Sequence, residues 1–252
     1  HETGAIEHGG HKCLALPAHD GLISASQIEK VLKSHFEDDE PEHCVQPGLV
    51  YISFSSEYGT LYSSTELQLI SEVCHSYDIP LFIDGARMGY GLMSDECDIT
   101  LPELAQLADV FYLGGTKQGA LFGEAVVITN DKLKRDFRYN IKQGGGMLAK
   151  GRLLGIQFET LFTDNLYFDI ARHANVQAMR IKKALQQNGY SFLIESPTNQ
   201  QFPVLPNELI DELSKEFLFS TWEKVDDDHT CVRICTSWAT KPENVDKLIA
   251  ML

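Results

Sequence analysis

Nowhere in the 252 residues does an uninterrupted apolar run approach the roughly 20 that a membrane-crossing helix needs. Basic residues are scarce too: Lys and Arg number 21 against 36 Asp and Glu, a formal charge of -15. That balance argues against a nucleic-acid footprint or an anionic membrane surface as partner, and leaves small molecules or other proteins. Paired cysteines are missing as well. The six, at positions 13, 44, 74, 97, 231 and 235, form no CxxC and are too scattered for a disulfide scaffold, so reduced, mostly buried thiols are expected. The first residues, HETGAIEHGG, are neither basic nor apolar enough for a signal peptide. A cytoplasmic protein is the expectation. No internal repeat and no low-complexity segment interrupts the chain.

What is present is a core-forming chain, 43% apolar, long enough for a large domain and a small one. The opening brings His8, His11 and Cys13 close together, but no second ligand pair follows downstream. A loop feeding a short strand at 12–16 is expected there, and no metal. Apolar residues at helical spacing predict helices over 24–36, 64–77 and 101–108. Between them LVYISF (49–54), LFID (81–84) and DVFYLGG (109–115) read as buried strands. Strands of continuous apolar residues alternating with helices predict a parallel sheet covered on both faces. A last strand, EAVVIT (124–129), follows too closely for a helical crossover and is expected to be antiparallel. Helices are then predicted over 131–140, 148–162 and 167–187. Strands at 191–195, 201–206, 217–225 and 230–237, with helices at 207–217 and 242–251, complete the chain. The fold class is therefore α/β: a mostly parallel sheet in a large domain, 1–163, followed by a small α+β domain, 164–252.

In an open parallel sheet, ligands gather beyond the carboxyl ends of the strands. Three strand ends here carry polar residues: Ser53 to Glu57, Asp84 to Arg87, and Thr116-Lys117. Lys117 stands between Gly114-Gly115 and Gly119-Ala120. Among backbone and apolar neighbours its amine would favour the neutral, nucleophilic form that a Schiff base needs; an ordinary lysine in a glycine-rich turn is the alternative. Asp84, entering a glycine turn from a buried strand, calls for a cation, either a protonated ring nitrogen or Arg87. One cofactor requires a lysine and an acid together, pyridoxal phosphate. A nucleotide phosphate loop fits poorly, because Gln118 rather than Ser or Thr follows the lysine.

IDGAR (83–87), GGTKQGALFGEAVVI (114–128) and KQGGGM (142–147) in this spacing resemble the threonine aldolase and β-eliminating lyase family of pyridoxal-phosphate enzymes, which have the aspartate aminotransferase fold. The resemblance covers essentially the whole chain. It implies that Lys117 carries pyridoxal 5'-phosphate as a Schiff base, that Asp84 pairs with the pyridine nitrogen, and that Arg87 sits by the ring hydroxyl with Thr116 beside it. Arg233 would clamp the substrate carboxylate. The implied reaction is aldol cleavage of a β-hydroxy amino acid such as threonine or allo-threonine to glycine and an aldehyde. The alternatives on this fold are β-elimination or transamination, and outside catalysis a folded dimerising fragment. A homodimer or homotetramer is implied.

The sequence departs from the family pattern in three places. Glu57 stands where well-known members have a histidine that contacts the substrate hydroxyl, so Glu57 is the candidate base. Leu148 replaces an arginine expected near the cofactor, with Lys150 close by as a substitute. The resemblance also implies roughly eighty residues ahead of HETGA, the first strand-helix units of a full sheet. Those would hold the phosphate-binding helix terminus and the ring-stacking histidine, for which His1 is the only candidate in this chain. The 252 residues alone are accordingly expected to bind the cofactor poorly and to be inactive.

Overall fold

Among the described residues, 2–252 in this computed structural model, eight strands form two four-stranded sheets. The chain opens with a short helix, α1 (Thr3–His8), in place of the expected loop. The strand expected at 12–16 does not form. Instead the Glu7 carboxylate accepts the backbone N–H of Cys13 at 3.2 Å and the amine of Lys12 at 3.3 Å, so a side chain takes a donor that a sheet neighbour would have used. Helix α2 (Ala25–Phe36) follows, begun by a reciprocal cap between Ser24 and Gln27.

The first sheet contains β1 (Val50–Ser53), β2 (Leu81–Asp84), β3 (Val110–Gly114) and β4 (Glu124–Ile128), in that spatial order. Its helices are α3 (Ser64–Ser76), α4 (Met88–Leu92) and α5 (Leu101–Leu107). β1, β2 and β3 are parallel and β4 runs antiparallel to β3, as the short connection requires. One face is dry: Val50, Ile52, Leu81, Ile83, Phe111 and Leu113 pack with Ile28, Leu32, Leu67, Ile70 and Leu104 of the helices. Each such side chain contributes about 1.5–3 kcal/mol by leaving water. The other face, with Tyr51, Phe82 and Tyr112, is only half-buried. Equal cover on both faces is therefore not found, and the strands alternate rather than bury throughout.

Beyond β4 the expected helix at 131–140 is broken early. A single 3₁₀ turn, Asp131–Leu133, ends before Asp136, whose left-handed backbone (φ 59) starts α6 (Phe137–Gln143). α7 (Arg152–Phe162) and the long α8 (Leu166–Gln187) follow. The second sheet holds β5 (Phe192–Ile194), β6 (Gln200–Pro206), β7 (Ser220–Lys224) and β8 (His229–Cys235) in the order β5-β6-β8-β7, all antiparallel. α9 (Asn207–Leu213) and α10 (Pro242–Ile249) cover it together with α8, around Ile181, Leu185, Leu205, Val232 and Leu248.

The two sheets meet at the loop after β1. The carbonyl of Gly59 accepts the Thr198 hydroxyl at 3.0 Å, and the carbonyl of Glu57 accepts Nε2 of Gln200 at 3.1 Å. Only glycine fits at 59, where φ is +76 and a Cβ would stand 2.3 Å from Ser196 Oγ. All six cysteines are free, but only Cys74 and Cys231 are buried, which corrects the expectation of mostly buried thiols.

Candidate active site

The parallel register sets Ser53 beside Asp84 at the carboxyl ends of β1 and β2. Past those ends the backbone stays knitted: Phe54 N–H donates to Asp84 O at 2.8 Å and Gly114 N–H to Gly85 O at 2.9 Å. The approach is so close that a Cβ on Gly85 would lie 1.8 Å from the Tyr112 carbonyl. Three strand ends thus open onto one small polar cavity of about 260 Å³, lined by Ser53, Ser55 and Glu57, by Asp84 and Arg87, and by Lys117, with Tyr51, Tyr112 and Glu124 on its walls.

Asp84 is 6% exposed. Its partner is not Arg87. One oxygen accepts the Tyr112 hydroxyl and the Ala86 N–H (2.9 Å), and the other accepts the Tyr51 hydroxyl. Burial, then the bond to Asp84 and its charge, push both phenols well above their ordinary range, so they stay protonated donors. A carboxylate has about four acceptor positions. Three are used, and the fourth is free for a ring N–H.

Lys117 is held by its backbone and free at its tip. The buried Tyr90 of α4 donates its hydroxyl to the Lys117 carbonyl, and the buried Tyr167 of α8 donates to the Gly114 carbonyl at 3.1 Å. Gln118, fully buried, donates Nε2 to the Tyr167 carbonyl at 2.9 Å. The side chain of Lys117 is exposed, which corrects the expectation of an amine packed among apolar neighbours. The turn is too tight for that: Gln118 and Ala120 N–H both return to Gly115 O, at 2.8 and 3.0 Å, leaving residue 117 at the crest. Among the described residues Lys117 Nζ makes no ion pair.

Glu57 lies between two guanidinium groups. Arg87 Nη1 reaches one oxygen at 3.1 Å and Arg233 Nη1 the other at 2.9 Å. Arg233 lies 5.2 Å from the Trp222 ring, and its Nε is buried without a partner, as is Ser55 Oγ. Thr116 is exposed on the lysine turn and does not line the cavity; Arg233 joins it through Glu57. Leu148 and Lys150 are exposed in the segment before α7. His1 lies outside the described residues.

Sequence reading missed Tyr51, Tyr112, Tyr90 and Tyr167. A signal existed for the first two. In the β1-β2 and β2-β3 registers Tyr51 pairs with Phe82 and Val110 pairs with Phe82, so residues two further along, Asp84 and Tyr112, fall on the same face. Tyr90 and Tyr167 act across the fold and had no such signal.

A lysine, a buried aspartate and Arg87 converge beyond the ends of parallel strands, with Arg233 of β8 joined through Glu57, an arrangement suited to a ligand with a carbonyl and a ring nitrogen. The residues fit pyridoxal phosphate in two respects, the Lys117 amine for its aldehyde and an open acceptor position on Asp84 for its ring nitrogen. The chain belongs to the β-eliminating lyase family, whose pattern matches residues 1–206. Members of that family depend on pyridoxal phosphate. A low specificity L-threonine aldolase of Pseudomonas sp. (strain NCIMB 10558) is 30% identical over 99% of this chain and 71% of its own length. Another, from Pseudomonas aeruginosa, is 28% identical over 98% of this chain and 70% of its own. A solved structure of Leishmania major threonine aldolase superposes with a TM-score of 0.94 at 44% identity, over 99% of this chain and 72% of that one.

Proposed function

We propose that this chain uses pyridoxal phosphate to cleave the Cα–Cβ bond of a β-hydroxy amino acid, threonine or allo-threonine, to glycine and an aldehyde. The observation that carries the reading is the convergence of Lys117 and Asp84 on one cavity from neighbouring strand ends, in a chain related to threonine aldolases. Bound there, pyridoxal phosphate supplies an electron sink for the pair released at the substrate α-carbon.

The side chains have separate tasks. Lys117, fixed at its carbonyl and free at Nζ, would hold the cofactor's aldehyde through its amine. Asp84, oriented by two phenols, offers its fourth acceptor position to the ring nitrogen. Arg87, on the cavity wall, would meet the cofactor's ring hydroxyl, with Thr116 next to the lysine. Arg233 receives the substrate carboxylate, for which a planar fork is suited. The division at 163/164 belongs to this reading: residues 1–163 carry Lys117 and Asp84, and 164–252 supply Arg233. So do a cytoplasmic location and a homodimer or homotetramer; the exposed apolar side chains Leu121, Leu153 and Ile156 favour assembly. Sedimentation would show a single oligomeric species, whereas a monomer at micromolar concentration would contradict it.

The second reading, β-elimination, is favoured by the family's description. Incubation with threonine and pyridoxal phosphate separates the two. Glycine with acetaldehyde supports cleavage; a keto acid with ammonia supports elimination.

A further inference from the structure

Glu57 joins arginines that arrive from different sheets. Arg87 follows β2 of the first, Arg233 lies within β8 of the second, and each gives its Nη1 to a different oxygen of the same carboxylate. The Glu57 carbonyl is bound by Gln200 of β6. One residue is therefore tied to both sheets through side chain and backbone. The three side chains are 12%, 23% and 32% exposed, so water competes weakly and the charge-assisted bonds are of the strong kind.

A carboxylate in a cavity can serve as a base or as a holder of other groups. A base needs a lone pair within reach of the proton it takes. Both Glu57 oxygens already accept from guanidinium groups, which leaves about two of the carboxylate's four acceptor positions and fixes its orientation from both sides. Arg233 points to the other task. It spends Nη1 on Glu57, lies beside Trp222, and keeps Nε buried with no partner. Buried N–H groups without acceptors are rare, so this edge of the guanidinium awaits one. A guanidinium has five N–H donors, so a ligand carboxylate bound to the others leaves the Glu57 bond intact.

We propose that Glu57 is a positioning residue: it holds Arg233 by Nη1, leaving the guanidinium's other donors for the substrate carboxylate, and ties that arginine to Arg87 on the cavity wall. The proposal rests on the pyridoxal-phosphate reading above. Through Glu57 the anchor for the substrate carboxylate and the anchor beside the ring keep a fixed separation, although they belong to different sheets. The proton on the substrate hydroxyl is then taken by another group.

The test uses the full-length gene product loaded with pyridoxal phosphate, as wild type, Glu57→Gln and Glu57→Asp, because the 252 residues alone are expected to hold the cofactor poorly. KM and kcat are measured for threonine across pH. Binding of threoninol, the same molecule with its carboxylate reduced, is followed by the change in cofactor absorbance. Glu57→Gln is expected to raise KM for threonine by about 10- to 100-fold, to leave kcat within about threefold, and to leave threoninol binding and the acid limb of the kcat profile unchanged. Glu57→Asp keeps the charge and gives a smaller rise in KM. A Glu57→Gln enzyme with unchanged KM, kcat lowered by about 100-fold or more and no acid limb would establish a base and overturn the proposal. Equal losses for threonine and threoninol would overturn it too, as the mark of a merely structural role. Should Glu57→Gln fail to fold, the Glu57→Asp ratio of threonine to threoninol effects decides alone. Failure of the underlying reading is distinct, because it shows in wild type as no cofactor absorbance and no borohydride-trapped adduct.

Discussion

Lys117 owes its place to tyrosines far away in sequence. Tyr90 and Tyr167 hold the backbone of the turn, and Tyr51 and Tyr112 orient the aspartate across the cavity. Composition pointed to the lysine and the aspartate, because a lone lysine among glycines and an acid leaving a buried strand are chemically conspicuous. Tyrosine in a strand is ordinary, so the groups that do the orienting were not legible. Their effect is measurable. Each phenol on Asp84 is a hydrogen bond to a charged group, worth about 1.5–3 kcal/mol. Tyr51→Phe and Tyr112→Phe should each weaken pyridoxal phosphate binding by about ten- to a hundredfold, read by absorbance titration. Unchanged affinity in both variants would contradict the assignment.

At the scale of elements, the strand ends matter more than the strands. The parallel β1, β2 and β3 and the antiparallel β4 followed from apolar runs and connection lengths alone, whereas their spatial order came from the structure. The break at Asp136 did not, since a left-handed aspartate has no composition signal. Nor did the unequal faces of the first sheet, because the alternation in VYIS is only four residues long. The loop from Ser53 to Gly59 sits where the two sheets touch, and Gly59→Ala should destabilise the fold by about 1–3 kcal/mol through its positive φ and its contact with Ser196. Urea unfolding would detect it. Ser63 tests the opposite case: it caps α3 with Glu66, far from the cavity residues in function. Ser63→Ala should cost about 0.5–2 kcal/mol of stability with KM and kcat unchanged; a change in either would tie α3 to the site.

For the whole molecule, burial sets an alkaline limit. It lifts the Cys231 thiol from 9.0 to about 11, and the Tyr62 and Tyr90 phenols from 10.0 to about 12. The unfolded chain loses these protons at the ordinary values, so above pH 9 it binds fewer protons than the folded one. Stability from these groups is full below pH 9 and is lost as pH rises through 11 and 12. Urea midpoints should hold from neutral pH to about 9 and fall beyond it, and a flat profile to about pH 11 would contradict this. Tyr90→Phe should lessen the fall and, by releasing the Lys117 carbonyl, loosen the turn that presents the amine. The parallel strands of the first sheet and the strands of the second were legible in the sequence because each follows from local pattern; their spatial order was not. What lies between the sheets, above all the Arg87–Glu57–Arg233 bridge, came only from their packing. The most direct test of the central claim is to incubate the chain with excess pyridoxal phosphate, reduce with borohydride and map the adduct by peptide mass spectrometry. The adduct is expected on Lys117 and is expected to be lost in Asp84→Ala at limiting cofactor. Adducts spread over other exposed lysines, with none at Lys117, would contradict it.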